Sequence, residues 1–195
     1  MSLIILLGPK HSGKTSIGRE LARRFKMPFY DLDQLIEEKT GKNIRELYKA
    51  GEELFRREET AGMAALLQKK TFEEPGGREV VLALGGGIID NPHAMALLQR
   101  ELQKSTGHCT VYLEVSSETA WNRIAVQGEL PPFLEAETPP VSKEKHCLLH
   151  ERRAGDYKKI ATYCLFAEGK SAAELAEDLY NLILYNNTQK EKSNE

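Results

Sequence analysis

Cysteine is scarce: the 195 residues hold three, Cys109, Cys147 and Cys164. The number is odd, the spacing is wide and no CxxC pair occurs, so neither a disulfide framework nor a structural zinc site is indicated. Reduced, mostly buried thiols in a cytoplasmic protein are the expectation. No apolar run approaches the ~18 residues of a membrane span. Basic excess is also missing, since 27 Lys and Arg face 29 Asp and Glu for a net charge of −2. Nucleic-acid and membrane-surface binders usually carry such an excess, so neither kind of partner is expected. The opening MSLIILLGPK is apolar but has no basic leader, and it reads as a strand rather than a signal peptide. There is no internal repeat. What remains is the balance of a globular domain, 41% hydrophobic and 29% charged. At this length such a chain buries roughly 70% of its unfolded surface without staples.

Short apolar runs alternate with helical periods. Residues 3–7 are continuously apolar and closed by Gly8-Pro9, which suits a strand buried on both faces. Residues 16–26 place Ile17, Leu21 and Phe25 on one helical face. A second strand is expected over 27–30, then a helix with Leu35 and Ile36 inward and Gly41 as its stop. Helices follow over 43–50 and 52–70. Further strands are expected at 79–84, 110–115 and 162–166. Asn91-Pro92 opens one helix, proline being tolerated in a first turn, and Ser116 caps another through about Val126. The proline-rich stretch 128–140 has no helical period and reads as a loop, with helix resuming from Ser142. A last amphipathic helix is expected over 172–184, and 186–195 is expected to be a disordered tail. The pattern means an α/β fold: a five-stranded parallel sheet with helices on both faces and ligands at the carboxyl ends of the strands.

The chemistry sits after the first three strands. GPKHSGKT, residues 8–15, matches G-x-x-x-x-G-K-[ST] between a strand and a helix. Glycines let backbone amides approach phosphate oxygens, and the helix amino terminus adds partial positive charge. His11, Ser12, Gly13, Lys14, Thr15 and Ser16 are therefore the expected nucleotide contacts, with Lys14 bridging the outer phosphates and the Thr15 hydroxyl a ligand for Mg²⁺. Asp31 and Asp33 are expected at the end of strand two, pointing the same way. Paired carboxylates repel unless a cation or donor lies between them. Asp31 is read as the Mg²⁺ side, through water. Asp33 is read as acceptor and base for a substrate hydroxyl, the alternative being a helix N-cap. Arg56 and Glu59 share a helical face, as a salt bridge or with Arg56 as an anion clamp. Gly85, Gly86 and Gly87 form either a tight turn or a bare surface for a small polar ligand. Arg152-Arg153 begins a second cationic spot before Asp156-Tyr157.

Taken in order, GPKHSGKT, DLD, FRREE, GGG and RRAGDY resemble the shikimate kinase family, over nearly the whole chain to about Leu184. The resemblance implies a nucleoside-monophosphate-kinase-like domain over 1–185, with a substrate-binding part at about 32–61 and a lid at about 128–142. It implies a cytoplasmic enzyme that uses MgATP to phosphorylate the 3-hydroxyl of shikimate. Small kinases of this build are often monomers. Carried over, Lys14 and Asp33 would be the catalytic pair. Arg56 and Arg153 would clamp the carboxylate, Gly85–Gly87 would contact ring hydroxyls, and Arg123 would pack near adenine.

Two positions depart from the family pattern. His11 stands where a glycine is usual. In the lid, Pro131-Pro132-Phe133-Leu134 replaces R-P-L-L, whose arginine reaches the transferring phosphate. An arginine there can contribute ~10³ to 10⁵ in rate. Three readings follow: Lys143, Lys145 or Arg152 substitutes; Lys14 and Mg²⁺ carry the step and the enzyme is slow; or the protein binds nucleotide without the usual catalysis. A kinase of another polyol acid, such as gluconate, is the remaining alternative. His146 and His150, four apart on a helix, read as a partly exposed face rather than a metal site.

Overall fold

The computed structural model describes residues 2–68, 79–105, 107–127, 130–134 and 138–192. Five strands make one parallel sheet: β1 (Ser2–Leu7), β2 (Phe29–Asp31), β3 (Glu79–Ala83), β4 (Cys109–Glu114) and β5 (Tyr163–Phe166), in the order β2-β3-β1-β4-β5. The unbroken apolar run in β1 follows from its central place, with Ile5 opposite Leu82 on one side and Thr110 on the other. Alternate residues feed two cores. Leu3, Ile5 and Leu7 face one layer, made by α2 (Leu32–Thr40), α3 (Ile44–Ala50), α4 (Glu52–Gln68) and α5 (Pro92–Leu102) and joined by Tyr157 of α7 (Pro139–Ile160). Ile4 and Leu6 face the other, where α1 (Lys14–Phe25) packs Ile17 and Leu21 beside Leu175 and Leu179 of α8 (Ala172–Lys192). Arg24 of α1 also pairs with Glu177 of α8. The remaining helix, α6 (Ser117–Gln127), follows β4. The chain leaves β1 to build β2 and β3 on one side, then crosses to β4 on the other. The loop after β1 therefore opens into the crevice at that switch point.

Some boundaries differ from expectation. The second strand ends one residue into the Asp-Leu-Asp motif, because Asp31 itself caps α2. Its carboxylate accepts from the Asp33 and Gln34 amides. Helix α7 begins at Pro139, with Thr138 as N-cap, since two prolines in a first turn sacrifice no needed N–H. Within the expected loop, 132–134 form a 3₁₀ turn that buries Leu134, whose carbonyl accepts from the Ser142 hydroxyl at 3.3 Å. Helix α8 continues to Lys192, past the expected start of a tail at 186, and the Asn186 amide donates to the Leu182 carbonyl at 2.9 Å. Residues 69 and 70, expected as helix, and 128, 129 and 135–137 of the lid lie outside the described residues. None of the three thiols is in a disulfide, and only Cys109 is buried. No described helix is long and apolar enough to cross a membrane.

Candidate active site

The phosphate loop is shaped by backbone conformations that favour glycine. Gly8, His11 and Gly13 have φ of 146°, 62° and 96°. His11 is the costly one, because its side chain sits in the left-handed region, at ~1 kcal/mol or more. The Lys14 ammonium lies inside the turn, donating to the Gly8 and Pro9 carbonyls at 3.0 and 2.7 Å. Burial pulls its pKa down to about 8, against the opposing pull of Asp33 and Asp31. Gly13 caps α1 with no side-chain hydrogen bond, which leaves the first-turn amides available to an anion. The loop floors a cleft of about 810 Å³, lined also by Ser16, Asp31, Asp33 and Arg123. Arg123 braces the loop by donating to the His11 carbonyl at 2.7 Å and reaches the Ala167 carbonyl at 3.5 Å. Ser12 is buried, its hydroxyl unpartnered.

The two aspartates fall on either side of a helix boundary. Asp31, not Asp33, is the helix cap, and its second oxygen accepts from the Thr15 hydroxyl at 2.6 Å. Asp33 is not strand but first-turn helix. Its Oδ1 is buried with no hydrogen-bond partner. Burial, then the neighbouring Asp31 charge, push its pKa up to about 7, with Lys14 opposing. A carboxylate poised there suits a general base near neutral pH. Because a raised carboxyl pKa means that the fold binds a proton the unfolded chain has lost, ionising Asp33 costs stability as pH rises from about 4 to about 7. Asp33→Asn is therefore expected to raise the apo-protein's Tm at pH 8 more than at pH 5, while removing turnover. If Asp33 serves as a base, kcat/KM should rise with pH through about 7, and a flat profile below 7 would contradict this role.

A second cleft, of about 730 Å³, adjoins the first. Arg56 of α4 donates to Glu59 at 2.8 Å and to the Gly87 carbonyl at 2.9 Å. Glu59 is fully buried; burial raises its pKa despite Arg56, and the Asn91 amide donates to it at 3.1 Å. Arg153 of α7 donates to Asp90 through Nε and Nη2, at 2.9 and 2.5 Å, and to the Gly86 carbonyl at 3.3 Å. Burial would raise the pKa of Asp90, but Arg153 and Arg152 outweigh it and hold it below the usual range. Arg56 and Arg153 thus meet over Gly87, where an added Cβ would lie 3.3 and 3.4 Å from their guanidinium nitrogens. The Arg56–Glu59 pair is a partly buried arrangement facing the cleft, not a surface salt bridge.

The triple glycine has a separate reason at each position. A Cβ on Gly85 would come within 2.6 Å of Asp33 Oδ1, and one on Gly86 within 2.7 Å of the Lys10 amide nitrogen and 3.1 Å of the Pro9 carbonyl carbon. Gly86 therefore lets the turn after β3 press on the phosphate loop, where the obstructing atoms are backbone. Gly86→Ala should destabilise the fold by about 1–3 kcal/mol through overpacking. It should also weaken nucleotide binding severalfold by displacing the loop; calorimetric titration with unchanged affinity would contradict this coupling.

The family model for shikimate kinase matches residues 10–184. The chain belongs to the shikimate kinase family. A curated shikimate kinase from Lactococcus lactis is 32% identical over 179 residues, spanning 90% of this chain and 94% of that one. Among solved structures, shikimate kinase from Acinetobacter baumannii in complex with shikimate superposes with a TM-score of 0.78 at 30% identity, covering 94% of this chain and 93% of that one. A gluconokinase from Sinorhizobium meliloti superposes at 0.61 with 16% identity, over 100% and 98% of the two chains, and shares the fold alone. As a shikimate kinase family member the chain is an ATP-dependent small-molecule kinase, with ATP as co-substrate.

Against this shikimate kinase frame, several residues escaped the sequence reading. Asp90 carried no local signal, because its partners Arg152 and Arg153 lie 62 and 63 residues away. His146 and His150 are not an exposed face: both are buried, both line the second cleft, and Nδ1 of the first and Nε2 of the second are unpartnered. Burial, chiefly, holds the His146 pKa at about 4. Of the proposed lid substitutes, Arg152 is bound to Asp90 at 2.6 Å. Neither it nor Lys143 or Lys145 lines either cleft. Pro131 lines the second cleft and is buried.

Proposed function

We propose that this chain transfers the γ-phosphoryl group of ATP to the 3-hydroxyl of shikimate. The reading rests on one observation: the unpartnered Asp33 carboxyl lies between a partly buried lysine in a phosphate loop and a paired-arginine cleft. The nucleotide phosphates lie against the loop amides and Lys14. The Arg56 and Arg153 forks take the acceptor carboxylate, a geometry in which guanidinium is better than ammonium. Asp33 accepts the proton of the hydroxyl as its oxygen attacks the γ-phosphorus and the bond to the β-bridging oxygen breaks. Arg123 lines the nucleotide cleft and takes the adenine side.

The oxygen donors at the mouth of the loop fit Mg²⁺, which prefers few carboxylates and keeps several waters. Thr15 and Asp31, already hydrogen-bonded to each other, would hold it. When bound it offsets phosphate charge. A cytoplasmic monomer acting on a small molecule, with no nucleic-acid or membrane partner, completes the reading.

The test is an ADP-release assay with MgATP and shikimate, gluconate or no acceptor. ADP release that requires shikimate is expected. Turnover only with gluconate would replace the substrate, and nucleotide binding without turnover on either would leave a binding module.

A further inference from the structure

The lid offers proline where the family pattern carries a cation, and none of the three basic residues suggested by the sequence lines either cleft. A different basic residue lines both clefts. Three residues line both the nucleotide cleft and the acceptor cleft: Lys10, Asp33 and Gly86. They mark the junction of the two clefts, and Lys10 is the one cation of the three.

The other basic groups near the junction already have partners in the fold, and the proposed reading gives Lys14, Arg56 and Arg153 other tasks. Lys14 is held inside the loop by two carbonyls. Arg56 and Arg153 are bound to Glu59 and Asp90, and Arg45 donates to the Leu130 carbonyl at 2.7 Å. The Lys10 side chain is exposed, and no hydrogen bond or ion pair among the described residues engages its ammonium. Its root is nonetheless fixed. Gly86 packs on the Lys10 backbone, and the Gly86 carbonyl accepts from the Tyr157 hydroxyl at 2.8 Å and from Arg153.

Resting on the proposed kinase reading, we propose that Lys10 is a further catalytic residue, supplying the cation for the transferring phosphoryl group that the lid lacks. The γ-phosphoryl oxygens gain charge stabilisation as the bond to ADP breaks and the bond to the acceptor hydroxyl forms. Lys10 keeps its proton throughout; the hydroxyl proton goes to Asp33. A flexible ammonium tethered to the loop needs no lid movement to reach the group, which fits a lid segment without basic residues between 130 and 134.

The test compares the unsubstituted enzyme with Lys10→Met and Lys10→Arg. Lys10→Met should lower kcat about a hundredfold or more, with the KM values for ATP and acceptor changed less than threefold. Lys10→Arg should recover most of the loss. Binding of MgADP with aluminium fluoride, a mimic of the transferring group, should weaken about as much as kcat falls, while MgADP alone binds as before. Unchanged kcat, a loss confined to either KM, or unchanged affinity for the fluoride complex would overturn the assignment. If the unsubstituted enzyme fails to turn over shikimate, the substrate reading fails by itself. The fluoride comparison then still decides for or against Lys10.

Discussion

Lys14→Met is expected to lower turnover by at least about a thousandfold while leaving the protein folded. The ammonium is the partly buried cation of the loop, held by the Gly8 and Pro9 carbonyls, with Asp31 and Asp33 as its opposing charges. Burial already pulls its pKa to about 8, so the fold gains little from keeping it charged. Methionine of similar length removes that cost, and Asp33 then takes up a proton more readily. The variant's Tm should stay within a few degrees of the original, with ADP-release activity near background. A Tm collapse alongside the activity loss would show Lys14 to be structural instead.

Arg56→Ala in a Glu59→Gln background is expected to raise the KM for shikimate about a hundredfold, with ATP affinity nearly intact. The second substitution is needed because Glu59 is fully buried and Arg56 is its charge partner. Removing the arginine alone strands a buried carboxylate, at a cost of about 3–5 kcal/mol that would obscure the binding effect. Loss of charge-assisted hydrogen bonds to a carboxylate, each worth ~1.5–3 kcal/mol, accounts for the hundredfold figure. Arg56→Lys should fall between, since ammonium keeps charge but not the fork. Equal loss of ATP and shikimate binding would contradict the clamp, as would no change in either KM.

Local signals in the sequence were enough for the phosphate loop and the parallel α/β class, because both are written in the alternation of short strand and helix patterns along the chain. Residues 3–7 are apolar throughout because β1 is central, and the glycines of the loop take the backbone conformations their identity allows. That the helix cap falls on Asp31 and not Asp33 turned on where α2 begins, a boundary one residue wide that the cap hydrogen bonds decide. The three glycines were legible as unusual, yet their reasons are atoms of Asp33, Lys10 and the two arginines, brought close only by folding. Asp90 and the burial of His146 and His150 depend on the packing of α7 over the turn after β3, for which composition and periodicity carry no signal. The lid departure was visible at Pro131, whereas the place of Lys10 between two clefts exists only once the chain has folded.

The most direct measurement is a crystal structure of this protein with MgADP and shikimate together. The account predicts the shikimate carboxylate within hydrogen-bond distance of both Arg56 and Arg153, with a ring hydroxyl on Asp33 facing the phosphate loop. A ring bound elsewhere, or seated with its carboxylate away from both guanidinium groups while nucleotide occupies the loop, would contradict it.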